Sequence, residues 1–352
     1  FFASLFLILR SLNVRAAFLC VLAFIALVQT ASMWRLLLSR PYLIAPIFLI
    51  TVVVLLHRRW YGWAAFVSFA YFFWYDATFF FPAVVALAYA IFAELYNAPR
   101  AWRGALYALG GVLAAVVVVS LIAPGFFSFL TGVIFSAATT PLRNINIPEG
   151  GELYPINILD YVRNNAVLMA VLIIGFFSEI ALYLRMRAGE MTEKDRSGYP
   201  ELRATLIFLA AGFFAAAAVV SGRFGDYIVP FLAVYLILAV STLATRFTLS
   251  DSLMARALGM GVVVAVGYLF IVSVFTLNDF IAGNGTPIEV LEGAGTWLAD
   301  NTQPGDIVFN ASWNWFPQLY YWSPEDNYVI GLEPRFLYDY SPRLYYLWVN
   351  TG

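Results

Sequence analysis

The chain has 352 residues, 62% of them hydrophobic and only 12% charged, against roughly 45–50% apolar and about 25% charged in an ordinary soluble domain. Apolar side chains in that excess cannot all be hidden in one aqueous core, so most of the length must take lipid as its solvent and a soluble globule is excluded. Twenty basic and twenty-one acidic residues leave a net charge of -1, which offers no basic field to a nucleic-acid backbone and argues against nucleic acid as a partner.

In chain order, the unit to look for is a span of roughly 20 apolar residues. The opening run FFASLFLIL lacks the basic start and the cleavage site of a signal peptide. It reads as a partial span at 1–9, and the sequence is expected to be a piece of a longer chain. Further spans are expected near 16–33, 41–57, 60–75, 78–96, 104–123, 166–185, 203–220, 227–245 and 257–277. The uninterrupted stretch from Trp60 to Tyr96 would run about 55 Å as one helix, far beyond a hydrocarbon core of about 30 Å, so it must fold back. Asp76, in WYDATFFFP, marks the tip.

Placing Arg10 and Arg15 in the cytoplasm and alternating sides brings His57-Arg58-Arg59, Arg100, Arg103, the Arg185–Arg203 cluster, Arg246 and Arg256 to that same side. Thirteen of the twenty basic residues are then cytoplasmic. Residues 125–140, GFFSFLTGVIFSAATT, are apolar enough to pass for a span. A crossing there would reverse the Arg185–Arg203 cluster, so the segment is read as interfacial or re-entrant, within an outer loop over about 124–164. The spans therefore define a transmembrane domain over 1–280.

Beyond it, 281–352 reads as the start of an extracytoplasmic α/β domain. PIEVLEGAGTWLAD places Ile288, Leu291, Ala294 or Gly295, and Leu298 at helical spacing, and NTQPGD ends that helix. DIVFN at 306–310 and NYVIGL at 327–332 read as short strands around an aromatic, helical SWNWFPQLYYW, a βαβ-like beginning. The fold class expected is an all-α polytopic membrane helical bundle with a partial C-terminal α/β domain.

Charged residues at membrane depth are costly and default to functional candidates. The sharpest constellation is SGRFGDYIVPF at 221–231, where Arg223, Asp226 and Tyr227 cluster at the outer end of two spans. Arg223 could hold a phosphate through its planar fork, or Arg223 and Asp226 could pair and anchor a tight hairpin. Asp76 could hold a metal ion or accept a proton, or simply cap the helix that follows. Glu179 stands inside its span and reads as a relay group or as the partner of an arginine. In the outer loop Arg143, Glu149, Glu152, Asp160 and Arg163 could meet a lipid phosphate or a sugar, or be solvated.

Trp313, Trp315, Phe316, Tyr320, Tyr321 and Trp322 could stack on sugar rings or pack a core, while Trp60, Trp63 and Trp74 suit an interfacial belt. The lone His57, beside Arg58 and Arg59 at a span edge, leaves no Ser-His-Asp triad and reads as an interfacial helix end. The lone Cys20 allows neither a disulfide frame nor a thiolate metal cluster. Walker, Rossmann, HExxH and CxxC motifs are missing, so no cofactor has motif support and a divalent metal stays open. Asn284-Gly285-Thr286 and Asn310-Ala311-Ser312 match a sequon that is frequent by chance.

SGRFGDYIVPF, followed by further spans and then WLADNTQPGDIVFNASWNWFPQLYYWSPEDNYVIGLEPRFLYDYSPRLYYLW, resembles the carboxy-terminal half of polytopic glycosyltransferases of the GT-C class, relatives of protein O-mannosyltransferases and lipid A aminoarabinose transferases. The resemblance is best over 221–348. It implies a polyprenyl-phosphate sugar donor, a glycan, lipid or protein acceptor, and transfer at the outer face of the membrane. It also implies a catalytic carboxylate in a first outer loop that would lie upstream of Phe1. Arg223–Tyr227 matches the family's arginine-acid-tyrosine element, with Asp226 where glutamate is common, which implies a donor-side or structural role. Two other readings stay open: a transporter or flippase with Glu179 and Asp76 along its path, and a non-catalytic membrane scaffold.

Overall fold

In the computed structural model the described residues are 2–12, 14, 17, 18, 20–22, 44–75, 78–98, 100–123, 125, 155–190, 199–246, 253–284, 286–331 and 334–351. They form two compact units. One takes in the described residues between Phe1 and Pro141 and from Pro155 to Asp279, and the other those from Phe280 to Gly352.

The first unit is helical throughout. Its elements are α1 (Phe2–Ser11), α2 (Ala45–His57), α3 (Tyr61–Trp74), α4 (Phe81–Leu95), α5 (Ala101–Ile122), α6 (Ile158–Asn164), α7 (Ala166–Arg187), α8 (Pro200–Val219), α9 (Gly225–Arg246) and α10 (Leu253–Asn284), the last running on into the second unit. Pro46, Pro82 and Pro200 sit in the first turn of α2, α4 and α8, where a missing N–H breaks no helical hydrogen bond. Asn157 caps α6, its Oδ1 accepting from the Leu159 and Asp160 amides at 3.1 and 3.4 Å.

Among the described residues, α5, α7, α8 and the stretch Gly222–Thr242 are long and apolar enough to cross a membrane. This is a membrane protein. Much of α5 and α7 is exposed hydrocarbon, including Leu106, Leu113, Leu121, Ile173 and Phe177, a surface that only lipid or further protein can cover. The stretches expected to span at 41–57, 60–75 and 78–96 fold instead into helices of 13, 14 and 15 residues. At helical rise these reach only about 20–23 Å. Pro46 and Pro82 fix two of their starts, and Tyr75 and Thr78–Phe80 lie outside both α3 and α4. The span expected at 16–33 and the segment 125–140 fall almost wholly outside the described residues.

The core lies where α2, α4, α8 and α9 meet, with Leu49, Val85, Leu206, Ile207, Ile228 and Phe231 all but inaccessible. In α9 67% of the spanning window is buried inside the protein, in α5 only 22%, so α9 is central and α5 peripheral. Where α5 crosses α3, a Cβ on Gly111 would collide with the backbone of Ala65, so only glycine permits that approach.

Successive helices alternate in direction from α2 to α5 and from α7 to α9, and contacts fix two ends of the bundle. At one end the Tyr61 hydroxyl donates to the Arg100 carbonyl (3.3 Å), Tyr199 reaches the Leu12 carbonyl (3.4 Å), and His57 Nδ1 lies 3.2 Å from Glu201. Arg58, Arg59, Arg103, Arg185, Arg187 and Arg203 stand on helix ends here, and this is the basic end. At the other end, here called the rim, α3 leads to α4, α8 leads to α9, and Ile156 N donates to the Ala217 carbonyl at 3.0 Å.

The second unit holds a 3-10 turn (Ile288–Leu291), α11 (Glu292–Asn301), β1 (Ile307–Val308), α12 (Phe316–Trp322), β2 (Asn327–Tyr328), α13 (Pro334–Tyr340) and α14 (Pro342–Thr351). β1 and β2 pair in parallel with Ile307 opposite Asn327 and Val308 opposite Tyr328, and α12 lies in the crossover between them. Each strand is only two residues long, and helix dominates the unit. The inward stripe before β1 uses Gly295 rather than Ala294, because a Cβ at 295 would strike Trp322. Trp322 in turn donates from Nε1 to the Ile288 carbonyl at 3.0 Å. Ile330, Tyr345 and Trp348 make a small core. Partial burial and the nearby Asp326 carboxylate push the Tyr328 hydroxyl above the usual phenol range.

Candidate functional site

At the rim, Ser221 starts the site. Its side-chain oxygen accepts from the Arg223 amide at 3.3 Å and caps the 3-10 turn Gly222–Phe224, which passes directly into α9. This compact entry sets Arg223 in the 3-10 turn and Asp226 and Tyr227 in the first turn of α9, at the mouth of the α8–α9 hairpin. Burial rises along it: Arg223 is half-buried, Asp226 is 9% exposed and Tyr227 3%. Pro230, one turn further on, has no N–H and cannot donate to the Asp226 carbonyl, so α9 lacks that helical bond at its rim end.

The Tyr227 ring stacks on Phe213 at 4.8 Å and meets Phe81 edge-on at 5.5 Å. Its hydroxyl is buried beside those of Tyr71 and Thr78. Beside it the Tyr71 hydroxyl, at the end of α3, shares a 2.6 Å hydrogen bond with Thr78 Oγ1 in the reversal before α4. Three hydroxyls thus converge under an aromatic wall built by α4, α8 and α9. Buried hydroxyls gathered in this way can satisfy one another where no water reaches them.

The sequence candidates divide as follows. Arg223, Asp226 and Tyr227 share this site. Asp76 and Arg143 lie outside the described residues, Asp76 two positions before Thr78. Arg163 is exposed in the last turn of α6, whose Tyr161 packs 5.9 Å from Phe214 and stands against Gly225. Tyr71 and Thr78 were not apparent as site residues. Their signal was a pair of hydroxyls flanking Asp76 inside an otherwise apolar run.

At the basic end the structure assembles a different cluster. Glu179 of α7, 1% exposed, accepts from Arg203 Nε at 2.9 Å and Nη2 at 2.7 Å, both on Oε1, and from the Tyr235 hydroxyl at 3.3 Å. Tyr96 donates to the Glu179 carbonyl at 3.4 Å. The arginine partner anticipated for Glu179 is thus Arg203, while Tyr235 carried no sequence signal. Glu179 Oε2 has no partner. Gly175 permits this packing, since a Cβ there would lie 2.6 Å from the Tyr235 ring.

Among the described residues no three His, Cys, Asp or Glu side chains gather in a way that could hold a metal ion. Of the aromatic residues in the second unit, Trp315, Tyr320 and Tyr321 are exposed, while Trp313 joins the small core and Trp322 is tied to Ile288. Asn310 is 2% exposed, and its amide bonds the Ile330 carbonyl (2.7 Å) and amide (3.1 Å), so that sequon is closed in the folded state. No protein-family model matches the chain, and no curated protein is similar to it at a significant level.

Proposed function

We propose that this protein is an integral membrane glycosyltransferase that moves a sugar from a polyprenyl-phosphate carrier to a glycan, lipid or protein acceptor at the outer face of the membrane. The observation that carries this reading is the rim: a half-buried arginine beside a buried carboxylate and a converging set of hydroxyls, at the end of a lipid-facing bundle. A lipid-phosphate sugar arrives from the bilayer and its acceptor from water, so the chemistry belongs at such an interface. The clustering of arginines at the opposite end supports an outward-facing rim, because basic residues accumulate on the cytoplasmic side. One further crossing through α10 would carry the second unit to the outer side as well.

In the proposed reaction a carboxylate takes the proton of the acceptor hydroxyl as its oxygen attacks the anomeric carbon. The bond from that carbon to the phosphate oxygen breaks, and the polyprenyl phosphate leaves with the electron pair. Arg223 stabilises the charge growing on the departing phosphate, while the Tyr71, Thr78 and Tyr227 hydroxyls orient the sugar. The carboxylate is assigned to no residue of this sequence.

The test is transfer from a polyprenyl-phosphate hexose to a membrane acceptor fraction, comparing the wild-type protein with Arg223→Ala and Arg223→Lys at equal membrane insertion. The account expects turnover to fall about 10- to 100-fold in Arg223→Ala, with partial recovery in Arg223→Lys. Unchanged turnover removes Arg223 from the mechanism, and movement of the carrier across the bilayer without transfer replaces the reading by a flippase.

A further inference from the structure

Between α7 and α9 lies a cavity of about 600 Å³, the size of a small-molecule site. Val171, Ile174, Leu236 and Val240 line it with hydrocarbon, and Glu179 and Arg203 give it a polar patch. Ile174 is 67% exposed and Val240 54%, so the cavity opens sideways onto a face that lipid covers.

The hydrogen bonding of Glu179 is one-sided. Arg203 Nε, Arg203 Nη2 and the Tyr235 hydroxyl all reach Oε1, at 2.9, 2.7 and 3.3 Å, while Oε2 has no donor although the residue is only 1% exposed. A buried carboxylate oxygen left without a donor is costly. The charge itself is already balanced by Arg203, and Arg185, at the basic end of the cavity, is engaged by the Glu190 carbonyl at 3.4 Å. What the cavity lacks is a neutral donor. An anionic ligand would only set its own charge against Glu179.

Depth narrows the ligand further. At helical rise Glu179 lies about 12 Å from Arg187 at one end of α7 and about 20 Å from Ala166 at the other, well inside a hydrocarbon core of about 30 Å. A phosphodiester headgroup stays at the membrane surface, whereas one hydroxyl on a hydrocarbon chain can descend that far where an acceptor meets it. From Glu179 the lining continues along α7 to Val171, about 12 Å of bed for the chain.

We infer that this cavity binds a single-chain lipid alcohol from the bilayer. Its hydroxyl donates to Glu179 Oε2, and its chain lies along Val171, Ile174 and Leu236. The inference is independent of the transfer reaction proposed at the rim.

The test is native mass spectrometry of the purified full chain in an amine-oxide detergent, which carries no hydroxyl, incubated with oleyl alcohol or with oleyl methyl ether. The ether keeps the chain and loses the donor. One oleyl alcohol should be retained about tenfold over the ether, as expected for one hydrogen bond to a charged acceptor. Val240→Trp, at the open side of the cavity, should lose the bound alcohol, and Leu121→Trp on the lipid-facing side of α5 should keep it, both at a wild-type melting temperature. Equal retention of alcohol and ether overturns the inference, and is the result expected where water alone meets Oε2. Wild-type retention by Val240→Trp overturns it as well, because it places the alcohol elsewhere on the protein.

Discussion

The basic end and the rim of the same bundle settle their polar groups in opposite ways. At the basic end a carboxylate taken deep among helices is met by its own countercharge: three donors converge on one oxygen of Glu179, two of them from Arg203. At the rim the buried polar groups are chiefly neutral hydroxyls gathered under an aromatic wall, and Arg223 is half-buried at a helix entry. A buried charge left alone costs several kcal/mol, so a charge serving the fold arrives already paired. The comparison assigns stability at the basic end chiefly to the Glu179–Arg203 pair, while the chemistry proposed above is placed at the rim.

The largest effect should come from breaking the pair. Arg203→Ala strands Glu179 and is expected to cost about 3–5 kcal/mol, whereas Glu179→Gln combined with Arg203→Met should recover much of it. Thermal unfolding in detergent checks both, and a small loss in Arg203→Ala would mean the pair is solvated after all. At the rim the signs should separate: Arg223→Ala should lose activity as stated above while keeping a melting temperature close to wild type. A third substitution lies away from both ends. Gly111→Ala pushes a methyl into the Ala65 backbone and should destabilise by about 1–3 kcal/mol without altering the activity of the folded fraction. The smallest and sharpest contrast is between two tyrosines. Tyr235→Phe should cost about 1.5–3 kcal/mol because it removes a bond to a charged group, while Tyr227→Phe, which touches only neutral hydroxyls, should cost about 1 kcal/mol or less and yet slow transfer.

Much of the helical pattern was legible because apolar runs read directly as helices in lipid. The span expected at 166–185 became α7, Ala166–Arg187, and that expected at 227–245 became α9, Gly225–Arg246. Lengths were less legible where turns consumed apolar residues. Trp60 and Tyr75 read as part of a span but lie at the ends of α3. In the second unit strands of five and six residues were expected and two-residue strands formed, with the parallel pairing across an aromatic helix present. The choice of Gly295 over Ala294 depends on Trp322, 27 positions away, which no local periodicity can see.

The site was legible in part, for a similar reason. Arg223, Asp226 and Tyr227 are close in sequence, and a charged pair at a span end stands out. Tyr71 comes from the last turn of α3 and Thr78 from just before α4, and their hydroxyls blend into an aromatic run. Glu179 was conspicuous as a charge inside a span. Its partners lie 24 and 56 positions further on, and only packing shows that they converge. Asn310 shows the converse, a motif clear in sequence whose side chain the fold consumes.

The most direct test of the division between the two ends asks which one faces out of the cell. In a Cys20→Ser background, Arg163→Cys on α6 at the rim and Arg103→Cys at the start of α5 place single exposed thiols at opposite ends. A membrane-impermeant maleimide applied to intact cells should label Arg163→Cys, and should label Arg103→Cys only after the membrane is opened. Labelling of Arg103→Cys in intact cells, with Arg163→Cys protected, would put the rim in the cytoplasm and contradict the account.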